Sequence, residues 1–146
     1  MLRELLIAFA IVAVCVVIHI GGIVLFAQFL IARFRQGEGI RTVTRQALLL
    51  ILVFGVVIAL HLVEIGTWAM LYYARDLFHN YETAFYFSVG TYSTIGYGDV
   101  VLTERWRLLG GIEGISGVLL CGLSAAFIFA VVNVLFQARM SQKSLR

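Results

Sequence analysis

Residues 93–99 read STIGYGD (Ser93, Thr94, Ile95, Gly96, Tyr97, Gly98 and Asp99), a short polar run set between long apolar segments. Irregular backbone at membrane depth is tolerated only where protein buries it or where it lines a water-filled path, because its amides and carbonyls cannot stay unpaired in lipid. Gly96 and Gly98 open dihedral angles closed to other residues. If the carbonyls of Thr94, Ile95, Gly96, Tyr97 and Gly98 all point one way, they form a ladder of oxygen ligands. Such a ladder can replace the hydration shell of a large monovalent cation, with the Thr94 hydroxyl as a further ligand at the inner end. One chain supplies only one side of such a cage.

The rest of the chain places this run in a membrane. Of 146 residues, 62% are hydrophobic and only 13% charged, and the mean hydropathy is +0.99. Water-soluble domains are nearer half apolar and a quarter charged. Residues 5–32 carry no formal charge over 28 positions, roughly 42 Å as a helix, enough to cross a bilayer. A cleaved leader is disfavoured, because the apolar run is too long and no small-residue cleavage site follows it. A second apolar run covers residues 46–73 and ends on Trp68, Tyr72 and Tyr73, aromatic residues suited to an interface. A third covers residues 108–136, behind Arg105, Trp106 and Arg107. Between the last two, YETAFYFSVGTYS offers about a dozen apolar positions, half a crossing, and is expected to be re-entrant. Asn80 or Asp76 is the expected cap of that short helix.

Three spans and one re-entrant segment define the predicted fold class, an all-α membrane protein. The expected organisation is an N-terminal helix with a basic loop over residues 1–45, a pore-like unit over 46–137 and a short tail over 138–146. Orientation follows from the cations. The first loop and the tail hold Arg33, Arg35, Arg41, Arg45, Arg139, Lys143 and Arg146, seven against the four (Arg3, Arg75, Arg105 and Arg107) on the other side. This puts loop and tail in the cytoplasm and the N-terminus outside, across the cell (inner) membrane. The net charge of +3 is therefore a matter of topology and not a nucleic-acid footprint. Cys15 and Cys121 lie inside apolar runs and read as packed thiols.

TIGYGD resembles the selectivity-filter signature of the tetrameric potassium channels, and the short helix before it and span after it are similar to that family's pore module over residues 46–136. The resemblance implies a homotetramer in the lipid bilayer. Successive K+ sites would be formed by Thr94, Ile95, Gly96, Tyr97 and Gly98, with Asp99 at the outer mouth. K+ is then the permeant ion, and no cofactor is implied. The tyrosine between the glycines favours potassium over sodium. A non-selective cation channel, or a non-conducting accessory or sensor subunit, are the alternatives. An enzyme is not supported, since the acids show no nucleophile–base or metal-ligand spacing. The family often has a glycine that bends the pore-lining helix, here Gly117 or Gly122. It often has a glutamate in the pore helix that braces the filter aspartate, and the matching position here is Gly90.

That departure directs attention to ionisable residues within the spans, which are expensive in a bilayer. Glu64 and Glu113 sit at similar depth, roughly 12 to 13 Å below the outer boundary. Glu113, or Glu64 with His61 one turn away, is expected to supply a replacement carboxylate behind the filter. The plainer reading is a protonated glutamate bonded to a pore-helix hydroxyl such as Ser88 or Thr91. His19, alone on an apolar helix, reads as a packed neutral imidazole, and His79 as part of an exposed outer turn. The first helix lacks the spaced arginines of a voltage sensor. The tail leaves no room for a soluble regulatory domain.

Overall fold

The computed structural model describes residues 2–35 and 42–144, all-helical apart from turns and one irregular loop. The long helices are α1 (Leu2–Arg35), α2 (Val43–Ala74) and α4 (Arg107–Ser144), and the short one is α3 (Tyr81–Tyr92). All three long helices contain stretches long and apolar enough to cross a membrane. Arg41 and Arg146, two of the cations counted for orientation, lie outside the described residues.

The polar residues of the spans show which face of each helix is inward. On α1 the buried stripe includes Glu4, Ala8, Cys15 and His19; on α2, Val53, Val57, Glu64, Trp68 and Tyr72; on α4, Leu109, Glu113, Ser116, Leu120 and Ser124. Steps of three, four and seven keep each set on one helical face. The opposite faces are also apolar, with Phe9, Leu25, Ile51, Val118 and Phe129 exposed on the single chain. Hydrophobic periodicity is therefore weak, and the inward face is marked by acids, histidines and serines.

Local chemistry sets the ends. Thr42 caps α2, its Oγ1 accepting from the Arg45 amide at 3.4 Å, which starts the helix a few residues before the apolar run. Asp76 turns into the left-handed region at φ 54° and its amide donates to the Tyr73 carbonyl at 3.0 Å, closing the last turn. Of the two predicted caps for α3, Asn80 serves: its Oδ1 accepts from the Thr83 amide at 2.7 Å. His79 is exposed in the connecting turn. At the other edge, Arg105 reaches back to Glu4, with Nη2 and Nε both 3.1 Å from Oε1. This pairing puts the start of α1 and the start of α4 on the same side.

The twelve residues of α3 pack between α2 and α4 through glycines. Gly66 faces the Tyr81 hydroxyl and Phe85, Gly110 faces Phe87 and Thr91, and Gly114 lies against the Thr91 carbonyl. Tyr72, Phe78 and Phe87 cluster where α2 turns into α3, with ring centroids 5.1 to 6.2 Å apart. The row of small residues on α4 thus packs against α3, as small residues do at membrane helix contacts. At Gly117 even a methyl group would overlap the Tyr92 carbonyl oxygen, whereas nothing lies within 4 Å of the corresponding position at Gly122. Helix α4 runs unbroken through both.

Gly117→Ala is therefore expected to destabilise the purified protein by about 1–3 kcal/mol, because backbone must move to admit the methyl. Gly122→Ala should stay within about 1 kcal/mol of wild type. Thermal unfolding in detergent measures both, and equal effects would contradict the packing described.

Candidate functional site

The loop that follows α3 is suspended from the helix's own C-terminal carbonyls. A helix end leaves its last carbonyls without partners, and here the Ser93 amide donates to Val89 (3.1 Å), the Gly96 amide to Gly90 (3.0 Å) and the Thr94 amide to Thr91 (3.0 Å). The Tyr92 carbonyl lies against Gly117. The end of α3 is thereby fixed to both the loop and α4.

Along the loop the backbone reverses hand at every second residue. Thr94, Gly96 and Gly98 have φ of 61°, 57° and 80°, while Ile95 and Tyr97 between them are not in the positive-φ region. The two glycines meet the sequence expectation. Thr94 does not follow from composition, since a β-branched residue there is costly, of order 1–3 kcal/mol, and such strain persists only where surrounding structure holds it. Every residue from Ser93 to Asp99 is exposed on the single chain.

Asp99 is held by a partner that the sequence reading does not name. Its Oδ2 accepts from the Tyr86 hydroxyl at 2.9 Å, and its Oδ1 accepts from the Val100 amide at 3.0 Å. The carboxylate holds the proton on Tyr86, raising that phenol above its ordinary value. The Tyr86 and Tyr97 rings stack with centroids 6.1 Å apart. Tyr86 precedes Gly90 by one turn and so shares its face of α3. That spacing is the signal by which it could have been found.

Glu113 and Glu64 lie beside α3, and the contacts found for them reach α3 and not Asp99. Glu113 is fully buried, accepts from the Tyr72 hydroxyl at 2.6 Å and is bonded to Ser88. Ser88 Oγ also lies 3.0 Å from the Ile65 carbonyl. One hydroxyl proton cannot serve both oxygens, so the arrangement closes fully when Glu113 carries its own proton and gives it to Ser88. This is the plainer of the two readings, with Ser88 as the hydroxyl and Tyr72 as an unforeseen second partner.

Glu64 belongs to a second buried group. Its Oε1 is 2.7 Å from His19 Nδ1, its Oε2 is 3.2 Å from His61 Nδ1, and Oε2 also accepts from the Tyr92 hydroxyl. Ser124 Oγ lies 3.1 Å from His19 Nε2 and 3.0 Å from His61 Nε2. His19 is packed, as read, but it is not isolated: it joins α1 to α2 and α4. It sits at the middle of α1 while Glu64 sits in the last third of α2, so counting depth from helix ends separates two residues that touch.

Glu113→Gln preserves one donor and one acceptor and is expected to remain within about 1 kcal/mol of wild type. Glu113→Ala strands the buried Tyr72 hydroxyl, at about 1–3 kcal/mol for the bond left unmade, and opens a cavity that adds to the loss. Unfolding in detergent compares the two, and a Gln variant as unstable as Ala would rule out the neutral carboxyl.

The profile of the ion channel family matches residues 46–134, well over half of the chain. The match takes in α2, α3, the loop and most of α4, and leaves α1 outside. No curated protein and no solved structure gives a significant match. Three apolar spans, a half-length helix and a loop of alternating hand accord with the profile: the chain is a multi-pass membrane protein belonging to the ion channel family.

Proposed function

We propose that this chain is the subunit of a homotetrameric channel that conducts K+ passively and selectively across the cell membrane. The observation that carries this reading is the alternation at Thr94, Gly96 and Gly98. In an extended strand with every φ negative, successive carbonyls point to opposite sides. Reversing φ at each second residue is the torsional condition for turning them to one side. Carbonyls of Thr94 to Gly98, with the Thr94 hydroxyl, then replace the hydration shell of K+ at successive sites.

A tetramer is supported by what a single chain leaves open. The loop is exposed in isolation, and in a membrane its polar backbone requires neighbouring copies and the permeating ions and water as partners. The apolar face of α4 that includes Ile115, Val118 and Leu119 is likewise exposed. Four copies around one axis would bury it or turn it to a central cavity. Asp99, held by Tyr86, stands at the outer mouth. The excess of Arg and Lys on the first loop and tail supports an outward N-terminus and loop, and a cytoplasmic C-terminus.

The same reading divides the chain into a pore unit over residues 46–137, an additional helix with its loop over 1–45 and a tail over 138–146. Glu64, His61 and Glu113 act as supports of the pore helix and, through it, of the loop. Bending of the pore-lining helix falls at Gly122, where space is open, and not at Gly117, which is in contact with α3.

K+ efflux from liposomes containing only the purified chain tests the proposal. Wild type is expected to release K+ well above protein-free vesicles. Gly98→Ala is expected to abolish release, because its φ of 80° costs a residue with Cβ about 1–2 kcal/mol and displaces the carbonyl. No efflux, or efflux unchanged by Gly98→Ala, overturns it; a Na+ efflux equal to that of K+ would leave a non-selective channel.

A further inference from the structure

Three ligand-bearing side chains converge at a buried point outside the proposed ion path. His19 comes from α1, and His61 and Glu64 from one face of α2. A ligand atom from each lies within 4.8 Å of the others. His19 and Glu64 are fully buried and the His61 side chain is 15% exposed. Both Nδ1 atoms face Glu64, and both Nε2 atoms face the single hydroxyl of Ser124.

We propose that His19, His61 and Glu64 form a binding site for a divalent transition-metal ion, with Zn2+ the best match, at the junction of α1, α2 and the end of the pore helix. Two imidazoles and a carboxylate form a donor set used for zinc. It is unsuited to Mg2+ or Ca2+, which require six or more oxygens. Tetrahedral bonds of about 2.0–2.2 Å separate ligand atoms by about 3.3–3.6 Å. The observed Nδ1-to-carboxylate distances of 2.7 and 3.2 Å must open by less than an ångström. The Tyr92 hydroxyl, 2.9 Å from His61 Nδ1 and bonded to Glu64, is within reach as a fourth ligand.

The outer contacts suit a bound ion. A histidine that gives one nitrogen to a metal donates the other N–H to a fixed acceptor. Ser124 Oγ has two lone pairs and can accept from both rings at once. Without metal the same atoms form a closed ring, Glu64–His19–Ser124–His61, with one proton on each of its edges and no net charge. The group is thus stable in the bilayer when empty and already oriented to receive an ion. A bound ion would replace the proton shared by Glu64 and His19 and clamp Tyr92, two residues before Thr94, to α1 and α2. The inference does not depend on which ion the pore conducts.

The test uses the full chain purified in detergent, stripped with chelator and then titrated with Zn2+ or Co2+. Wild type is expected to retain one Zn2+ per chain after desalting and to give the intense visible bands of tetrahedral Co2+. His19→Asn and Glu64→Gln should weaken retention by about 100-fold or more, beyond the loss typical of an outer contact, and Ser124→Ala by about 10–100-fold. His79→Asn, in the exposed turn, should leave it unchanged. Retention that survives His19→Asn, that is lost in His79→Asn, or that is absent in wild type overturns the proposal. If the ligand variants do not yield folded protein, the Co2+ spectrum of wild type decides: tetrahedral bands support the site, and weak octahedral bands or none refute it.

Discussion

Backbone amides and carbonyls cannot be left unpaired in hydrocarbon, and the irregular loop after α3 is the part of this chain that meets the constraint least easily. Helices satisfy it internally. The loop satisfies part of it by donating three of its amides to the last carbonyls of α3, and it leaves its own carbonyls for other partners. Everything packed around α3 follows from the need to hold that helix end still. Gly114 and Gly117 allow α4 to approach backbone to backbone, and the aromatic cluster at Tyr72, Phe78 and Phe87 closes the other end of α3.

Two buried acids complete the support, each at its own level of the helix. Glu113 joins α2, α3 and α4 through Tyr72 and Ser88. Glu64 joins α1, α2, α3 and α4 through His19, Tyr92 and, by way of the histidines, Ser124. Charged groups at such positions would be expensive, and both clusters can close as neutral hydrogen-bonded sets. In that form they cost little and restrict α3 to one position. The helix outside the family match is thereby tied to the base of the loop and is not a separate appendage.

The architecture was legible because long uncharged runs report membrane spans directly, and a dozen apolar residues report a half-crossing. The glycine-rich run was legible because so few structures tolerate it in that setting. Helix ends were less so: Thr42 and the polar residues after Phe136 extend α2 and α4 beyond their apolar runs. The partner of Asp99 was not legible. The absence of an acid at Gly90 suggested a carboxylate from another span, whereas the partner is the Tyr86 hydroxyl one turn away on the same helix. The left-handed turn at Thr94 opposes that residue's own preference and is fixed by tertiary contacts. The partners of His19 were unreadable because the register of α1 against the other helices depends on contacts such as Glu4 with Arg105 at the start of α4, which no periodicity encodes.

The proposed coordination of K+ by a ladder of loop carbonyls is tested by the reversal potential of the purified chain in a planar bilayer with K+ on one side and Na+ on the other. A current that reverses far from zero, on the side set by K+ permeation, is the predicted result. A reversal near zero, showing that the pore does not distinguish the two ions, would contradict it.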